Sequence, residues 1–265
     1  MTDILARKNQ RVLARYALQN LLVAFDYDGT LAPIVAVPER ARMRAPTRRL
    51  LRQVAERYPC VVISGRACAD LIPRLDDIPL VQISGNHGLE PWAQDVRYVV
   101  QVREWVERLR PRLAGCRGVV IEDKTYSVSV HFRAAPNKQE ALCAIEAAVK
   151  DLRGARRIGG NMVVNLVPEG SPTKGLAVER ARQLFMCDAA LYVGDDETDE
   201  DVFGAMHPDC LLSVRVGAAE VTQASFRLNH QRQIDGLLRQ LVALRPHRII
   251  DWPPSQRPSF AQSEG

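Results

Sequence analysis

Asp26 and Asp28 stand two residues apart at the end of an apolar run, in LLVAFDYDGTLAPI from Leu21 to Ile34. Alternate residues of an extended strand share a face, so the two carboxylates point the same way while Tyr27 points away. Gly29 and Thr30 then turn the chain at the carboxyl edge of a sheet, where open α/β sheets place their ligands. Two like charges so close raise each other's proton affinity unless a cation lies between them. A hard divalent ion with oxygen ligands, most simply Mg2+, would satisfy the pair. Aspartate and glycine are also ordinary turn residues, so on spacing alone an accidental turn is the competing reading.

Three further strand ends carry complementary groups. After CVVI comes SGR, where Ser64 offers a hydroxyl and Gly65 lets backbone amides approach an anion. Lys174 opens a helix in SPTKG, a cation beside a terminus that itself favours phosphate. After LYV comes GDDETDED, six acidic residues from Asp195 to Asp201, with Asp195 directly after a buried strand and a glycine. Taken singly, these read as a turn, a surface lysine and a solvated loop. Together they can handle a phosphoryl group: a metal and a lysine neutralise it, a serine and amides orient it, and a carboxylate attacks in line.

The elements that must position these groups follow from periodicity. Short apolar runs alternate with helical segments, the pattern of a parallel sheet covered by helices. Strands are expected at Leu21–Phe25, Cys60–Ile63 and Leu80–Ile83, and the helix TRRLLRQVAERY places Leu50, Leu51, Val54 and Tyr58 on one face. From about Tyr98 the pattern changes to helix, two strands, helix, two strands, with hairpin turns expected at Glu122–Thr125 and near Gly159–Asn161. This unit reads as an α+β insertion. The first pattern then resumes with TKGLAVERARQLF, AALYV, LLSVRV and a helix around IDGLLRQLVALR. The expected division is a core of residues 1–96 and 171–250, an inserted cap of 97–170 and a mobile tail of 251–265.

Composition excludes several classes. With 265 residues, 46% hydrophobic and 25% charged, the chain can bury a sizeable core, as one large domain or two unequal ones. No apolar run approaches the ~18–20 residues that cross a bilayer. The amino terminus reads as a basic amphipathic helix without the apolar segment of a secretion signal, so the expected location is the cytoplasm. The six cysteines, at 60, 68, 116, 143, 187 and 210, show no spacing for a zinc site. A net charge of +5 could favour nucleic acid, but the arginines are scattered and fit solvated faces and a small anionic substrate instead.

DYDGTL, the serine of ISGR, the lysine of SPTKG and VGDDETDED, in that order, resemble the four motifs of the haloacid dehalogenase superfamily of phosphohydrolases. The resemblance implies a Rossmann-like parallel-sheet core with an inserted α+β cap. It implies that Asp26 is the nucleophile and forms an aspartyl-phosphate, and that Asp28 is the acid and then the base. Asp26, the backbone carbonyl of Asp28 and Asp195 would hold Mg2+. Asp196 and Asp199 would hold metal-bound waters or orient Lys174.

The cap order, together with FDYDGTLAPI, ISGNHGLE, SVSVHFR, GGNMVVNLVPEGSPTKG and VGDDETDEDVF, is similar to that of the trehalose-6-phosphate phosphatase family, from about Leu21 to Leu241. That likeness implies hydrolysis of trehalose 6-phosphate, with Glu122 and Lys124 on the distal glucose. Arg66, Arg133 and the loop residues Asn86 and His87 are further candidates for substrate contact, Asn86 and His87 alternatively bracing the nucleophile; Gly85 and Gly88 could equally be turn formers. His131 could contact sugar or lie on the wet face of a hairpin. Many members carry glutamate where this chain has Asn165, and Glu169, four residues on, would substitute if the strand ended early. Rival readings are a phosphatase for another glycosyl phosphate (sucrose phosphate, mannosyl or glucosyl phosphoglycerate), a phosphomutase, or a silent module that binds sugar phosphate. A trehalose-6-phosphate synthase is the expected pathway partner, and the cap is expected to move about linkers near Asp95–Arg97 and Gly170–Thr173.

Overall fold

A computed structural model describes residues 1–92, 95–160 and 162–246. Asn161 of the expected second turn and the expected tail, 251–265, lie outside the described residues.

The core begins with β1 (Thr2–Asp3) and α1 (Gln10–Ala17), then β2 (Leu21–Phe25), α2 (Ala45–Ala55), β3 (Cys60–Ile63), α3 (Cys68–Leu75) and β4 (Gln82–Ser84). The insertion contains α4 (Val96–Leu113), β5 (Val120–Asp123), β6 (Val128–His131), α5 (Lys138–Val149), β7 (Ala155–Ile158) and β8 (Val163–Pro168). The core resumes with α6 (Lys174–Leu184), β9 (Ala189–Gly194), α7 (Glu200–Phe203), β10 (Leu211–Val216), β11 (Phe226–Leu228) and α8 (Ile234–Leu244).

Seven parallel strands in the order β1-β11-β10-β9-β2-β3-β4 form the core sheet. β2 is buried at every residue and lies between β9 and β3, so strand order reverses about it. A crevice opens at such a reversal beyond the carboxyl ends of the strands. Side chains of β2 alternate between two apolar layers: Leu21, Val23 and Phe25 face one with α2 and α8, and Leu22 and Ala24 face the other with α6.

The insertion is a separate antiparallel sheet, β5-β6-β8-β7. Val128 and Val130 of β6 and Val164 and Leu166 of β8 pack with Trp105 and Leu109 of α4 and Ile145 of α5 in a third apolar cluster. The period-2 pattern leaves the other face polar. Register aligns Glu122 with Ser129 and Ser129 with Asn165 in a row across that face. Ser127, Ser129 and Asn165 are buried, so this part of the face is covered, whereas Glu122 at its edge is exposed.

Four local expectations change. The first hairpin turns at 124–127 rather than Glu122–Thr125, because Glu122 and Asp123 pair with Ser129 and Val128 in the sheet. The first residues do not all join a helix, because Thr2 and Asp3 pair with Phe226 and Arg227 at the sheet edge. Helix α2 ends at Ala55, and Tyr58, expected on its apolar face, is buried just beyond it with its hydroxyl donating to the Leu241 carbonyl. The third core strand is Gln82–Ser84 rather than Leu80–Ile83, because it pairs in register with Val61–Ile63.

Candidate active site

Asp26, Ser64 and Asp195 follow β2, β3 and β9, so neighbouring parallel strands deliver all three to one edge. The Asp26 N–H donates to the Val193 carbonyl, which carries the ladder into the site. Lys174 arrives from the first turn of α6, whose N-cap Thr173 accepts from the Leu176 N–H. Its buried ammonium donates to Asp26 Oδ1 at 2.9 Å and to Asp199 Oδ1 at 2.8 Å.

Asp26, Asp195 and Asp199 each present a carboxylate oxygen within 4.8 Å of the other two. Burial raises the proton affinity of Asp26, and Asp199 and Asp28 add to it against the pull of Lys174. Burial likewise pushes Asp195 well up, with Asp26 and Asp199 contributing. Burial disfavours the charge on Lys174, but Asp199 and Asp26 outweigh it and hold the ammonium above its usual range. Lysine thus stays charged while the excess of carboxylates leaves Asp26 and Asp195 short of positive charge. An all-oxygen cluster with that deficit fits a hard divalent cation.

The cluster has internal order. Asp199 is fully buried; its Oδ1 also accepts the Tyr192 hydroxyl at 2.6 Å, and its Oδ2 accepts the N–H groups of Asp195 and Asp196 at 2.8 and 2.9 Å. Of the two roles open to Asp199, orienting Lys174 is the one this geometry supports. Asp196 caps the following turn by accepting the Glu197 N–H at 2.7 Å, and burial raises its proton affinity. Asp195 accepts from Thr30 at 3.1 Å. Gly29 (φ +83°) permits this approach, since a Cβ there would fall 2.0 Å from Asp195 Oδ2.

Asp28 is not among the three clustered carboxylates. Arg66 grips it with two bonds, Nε to Oδ2 at 2.5 Å and Nη2 to Oδ1 at 2.7 Å. The same guanidinium donates to Asp70 at 2.5 Å and to the Pro38 carbonyl at 2.8 Å. Arg66 is therefore committed to protein partners, and its geometry supports holding Asp28 more than binding substrate. Ser64 is buried beside it and accepts the Arg66 N–H at 3.3 Å.

The cap closes over this edge. The Lys124 ammonium donates to the Gly65 carbonyl at 3.1 Å and lies 3.6 Å from Glu122, which is 2.8 Å from His131. Burial opposes ionisation of Glu122, but His131 and Lys124 prevail and hold its carboxyl below the usual range. Arg133 donates to the Val35 carbonyl at 2.7 Å. His87 is buried against Gly65, where a Cβ would fall 2.6 Å from the imidazole. Burial, then the charges of Lys174, Lys124 and Arg156, keep that ring neutral, and neither ring nitrogen has a hydrogen-bond partner among the described residues. The Asn165 amide accepts from Ser129 at 2.6 Å. Glu169 does not join them: β8 runs on to Pro168, paired with Ala155, and leaves Glu169 exposed beyond the strand.

The sequence model of the trehalose-phosphatase family matches residues 24–232, most of the chain. The chain belongs to the trehalose-phosphatase family. It is 33% identical over 206 residues to trehalose-phosphate phosphatase of Mycobacterium ulcerans, covering 71% of this chain and 52% of that protein. A probable trehalose-phosphate phosphatase of Oryza sativa is 27% identical over 264 residues, covering 86% and 70%. This trehalose-phosphatase chain spans about half the length of the mycobacterial relatives it matches. Among solved structures, the C-terminal domain of Candida albicans trehalose-6-phosphate phosphatase superposes with a TM-score of 0.72 at 23% identity, covering 90% of this chain and 97% of that one. A sucrose-phosphatase from Synechocystis superposes with a TM-score of 0.55 at 16% identity, covering 85% and 98%, which shows the shared haloacid dehalogenase fold.

Thr30, Tyr192, Asp70 and Glu90 belong to the site's hydrogen-bond network without having been singled out by sequence. Tyr192 carried a signal, a polar-tipped aromatic in the otherwise aliphatic strand AALYV. Glu90 closes the quoted ISGNHGLE, but an acid after a glycine turn has no distinctive spacing.

Proposed function

We propose that this protein is a Mg2+-dependent phosphatase that hydrolyses trehalose 6-phosphate to trehalose and phosphate. The observation that carries the reading is the buried Asp26–Lys174–Asp199 arrangement under a cap whose polar row includes Glu122 and Asn165. We assign residues 1–96 and 171–250 to the catalytic core and 97–170 to the cap.

Asp26 and Asp195, with the Asp28 carbonyl, would hold the ion, since Asp199 has both oxygens committed to protein donors. When bound, Mg2+ supplies positive charge to the carboxylates and to the transferring phosphoryl group. Lys174 neutralises a phosphoryl oxygen, and Ser64 with nearby amides orients it. Asp26 attacks phosphorus; its bond to the carboxylate oxygen forms as the bond to the sugar oxygen breaks, and Asp28 supplies the proton to that oxygen. Asp28 then takes a proton from the water whose oxygen displaces Asp26. Arg66 fixes the half-exposed Asp28 carboxylate for both transfers.

Glu122 and Lys124 would bind the distal glucose. Neutral His87 can donate from one ring nitrogen and accept at the other, which suits a sugar hydroxyl beside the phosphate. A trehalose-6-phosphate synthase would supply the substrate. Six unpaired cysteines support a reducing, cytoplasmic setting. No helix among the described residues is long and apolar enough to cross a membrane.

One observation favours a second reading. Asn165 occupies the buried centre of the polar row and lacks the charge that strengthens a bond to a sugar hydroxyl. A different glycosyl phosphate, such as sucrose phosphate, would fit such a cap. Phosphate release from a panel of sugar phosphates, with and without chelator, decides: preference for another ester overturns the substrate, and activity undiminished by chelator overturns the metal.

A further inference from the structure

Three consecutive residues, Asn86, His87 and Gly88, hold left-handed backbone, with φ of 49°, 58° and 103°. Side-chain-bearing residues enter that region rarely, and such a run persists only where its surroundings fix it. The surroundings here come from two sheets. Asn86 is fully buried; its Oδ1 accepts the Ser127 hydroxyl at 2.6 Å, and its Nδ2 donates to Glu90 Oε2 at 2.9 Å and to the Lys124 carbonyl at 3.2 Å. Glu90 is itself fixed, because the same Oε2 accepts the N–H of Cys68 at the start of α3 at 2.7 Å.

The backbone of the turn is bonded to the loop that carries Ser64 and Arg66. The Asn86 N–H donates to the Arg66 carbonyl at 2.8 Å, and the His87 N–H to the Ser64 carbonyl at 2.9 Å. Ser127 and Lys124 flank the cap turn between β5 and β6, and the Lys124 ammonium reaches back to the Gly65 carbonyl. One amide side chain thus joins the loop that carries Ser64 to the turn that carries Lys124.

We infer that Asn86 is a positioning residue, and that the chain Glu90–Asn86–Ser127 sets the register of the sugar-binding turn on the phosphate-binding loop. The inference rests on the proposed sugar-phosphate activity and adds how the two halves of such a substrate are measured against each other. A phosphate ester without a sugar needs the core loop but not that register. Ser127 is buried where it meets Asn86, so the contact lies inside the junction of cap and core.

The test uses the full chain with Mg2+ and the variants Ser127→Ala, Glu90→Ala and Glu90→Gln, assayed on trehalose 6-phosphate and p-nitrophenyl phosphate. Ser127→Ala should lower kcat/KM on the sugar phosphate about tenfold, mainly through KM, with the aryl ester within about twofold, and Glu90→Ala should lower it on the sugar phosphate at least as much. Glu90→Gln, whose amide oxygen can accept both N–H groups, should restore most of the loss. Amide hydrogen exchange at 123–127 should accelerate about tenfold in Ser127→Ala while α5 is unchanged. Equal losses on both substrates in Ser127→Ala, or unchanged exchange at 123–127, would overturn the inference. Wild-type protein that cleaves the aryl ester but not trehalose 6-phosphate would instead defeat the substrate reading, and the exchange measurement would still decide the inference.

Discussion

The Lys174 ammonium lies between two buried carboxylates, 2.9 Å from Asp26 and 2.8 Å from Asp199. Tyr192 and two backbone N–H groups hold Asp199 in place, so the lysine is aimed by a group that is itself immobile. Preorganised charge of this kind acts without reorganisation when a phosphoryl group arrives.

Replacing the proposed nucleophile tests the chemistry directly. Asp26→Asn keeps the side-chain shape and removes one carboxylate from a crowded cluster. Phosphate release should fall about 10⁴-fold or more, with an unchanged or higher melting temperature. A variant that turns over within tenfold of wild type excludes Asp26 as nucleophile.

Removing the cation should cost stability as well as rate. Lys174→Met leaves Asp26 and Asp199 buried without their shared partner. Breaking a buried pair costs about 3–5 kcal/mol, read as a lower urea midpoint at neutral pH. A midpoint equal to that of wild type would show that the carboxylates find other compensation.

Metal-free protein should lose stability as pH rises. Burial and neighbouring carboxylates raise Asp26 from 3.8 to about 8, so the folded state holds a proton that the unfolded chain releases, and its contribution fades across that window. His87 acts oppositely: its proton affinity is lowered from 6.5, so stability from that group grows as pH rises to about 6.5. Between pH 6.5 and 8 only the downward trend remains, with a limit of about 1.4 kcal/mol per pH unit for one proton. Thermal melts in chelator across this range should show the decline, and Mg2+ should abolish it. A flat chelator profile would contradict the carboxylate crowding.

Gly29→Ala tests the cradle of the metal site. An added Cβ would press on Asp195 and the backbone would be strained at φ +83°. The Mg2+ concentration for half-maximal activity should rise at least about tenfold, the scale of losses when a ligand's support is disturbed. Titration of phosphate release with Mg2+ measures it; an unchanged requirement would place the ion elsewhere.

The four motifs and the alternation of strands and helices were readable from local pattern. Burial of β2 and β9 follows from their apolar runs, and parallel strands bring their carboxyl ends to one edge, so Asp26, Ser64 and Asp195 had to converge. The cap's two faces were equally legible in the alternation of Val128, Ser129 and Val130, where a one-residue slip would exchange core for site. What pattern could not determine is which polar atoms meet. Asp26 and Lys174 are 148 positions apart and Ser127 and Asn86 41 apart; the first bond exists only after α6 has packed on the core sheet, the second only after the cap sheet has met the core. The commitment of Arg66 to Asp28, the two-sided role of Asp199 and the exclusion of Glu169 arise in the same way. Periodicity dictates which face a residue occupies because burying apolar area is non-directional, whereas a hydrogen bond depends on tenths of an ångström that tertiary packing alone supplies.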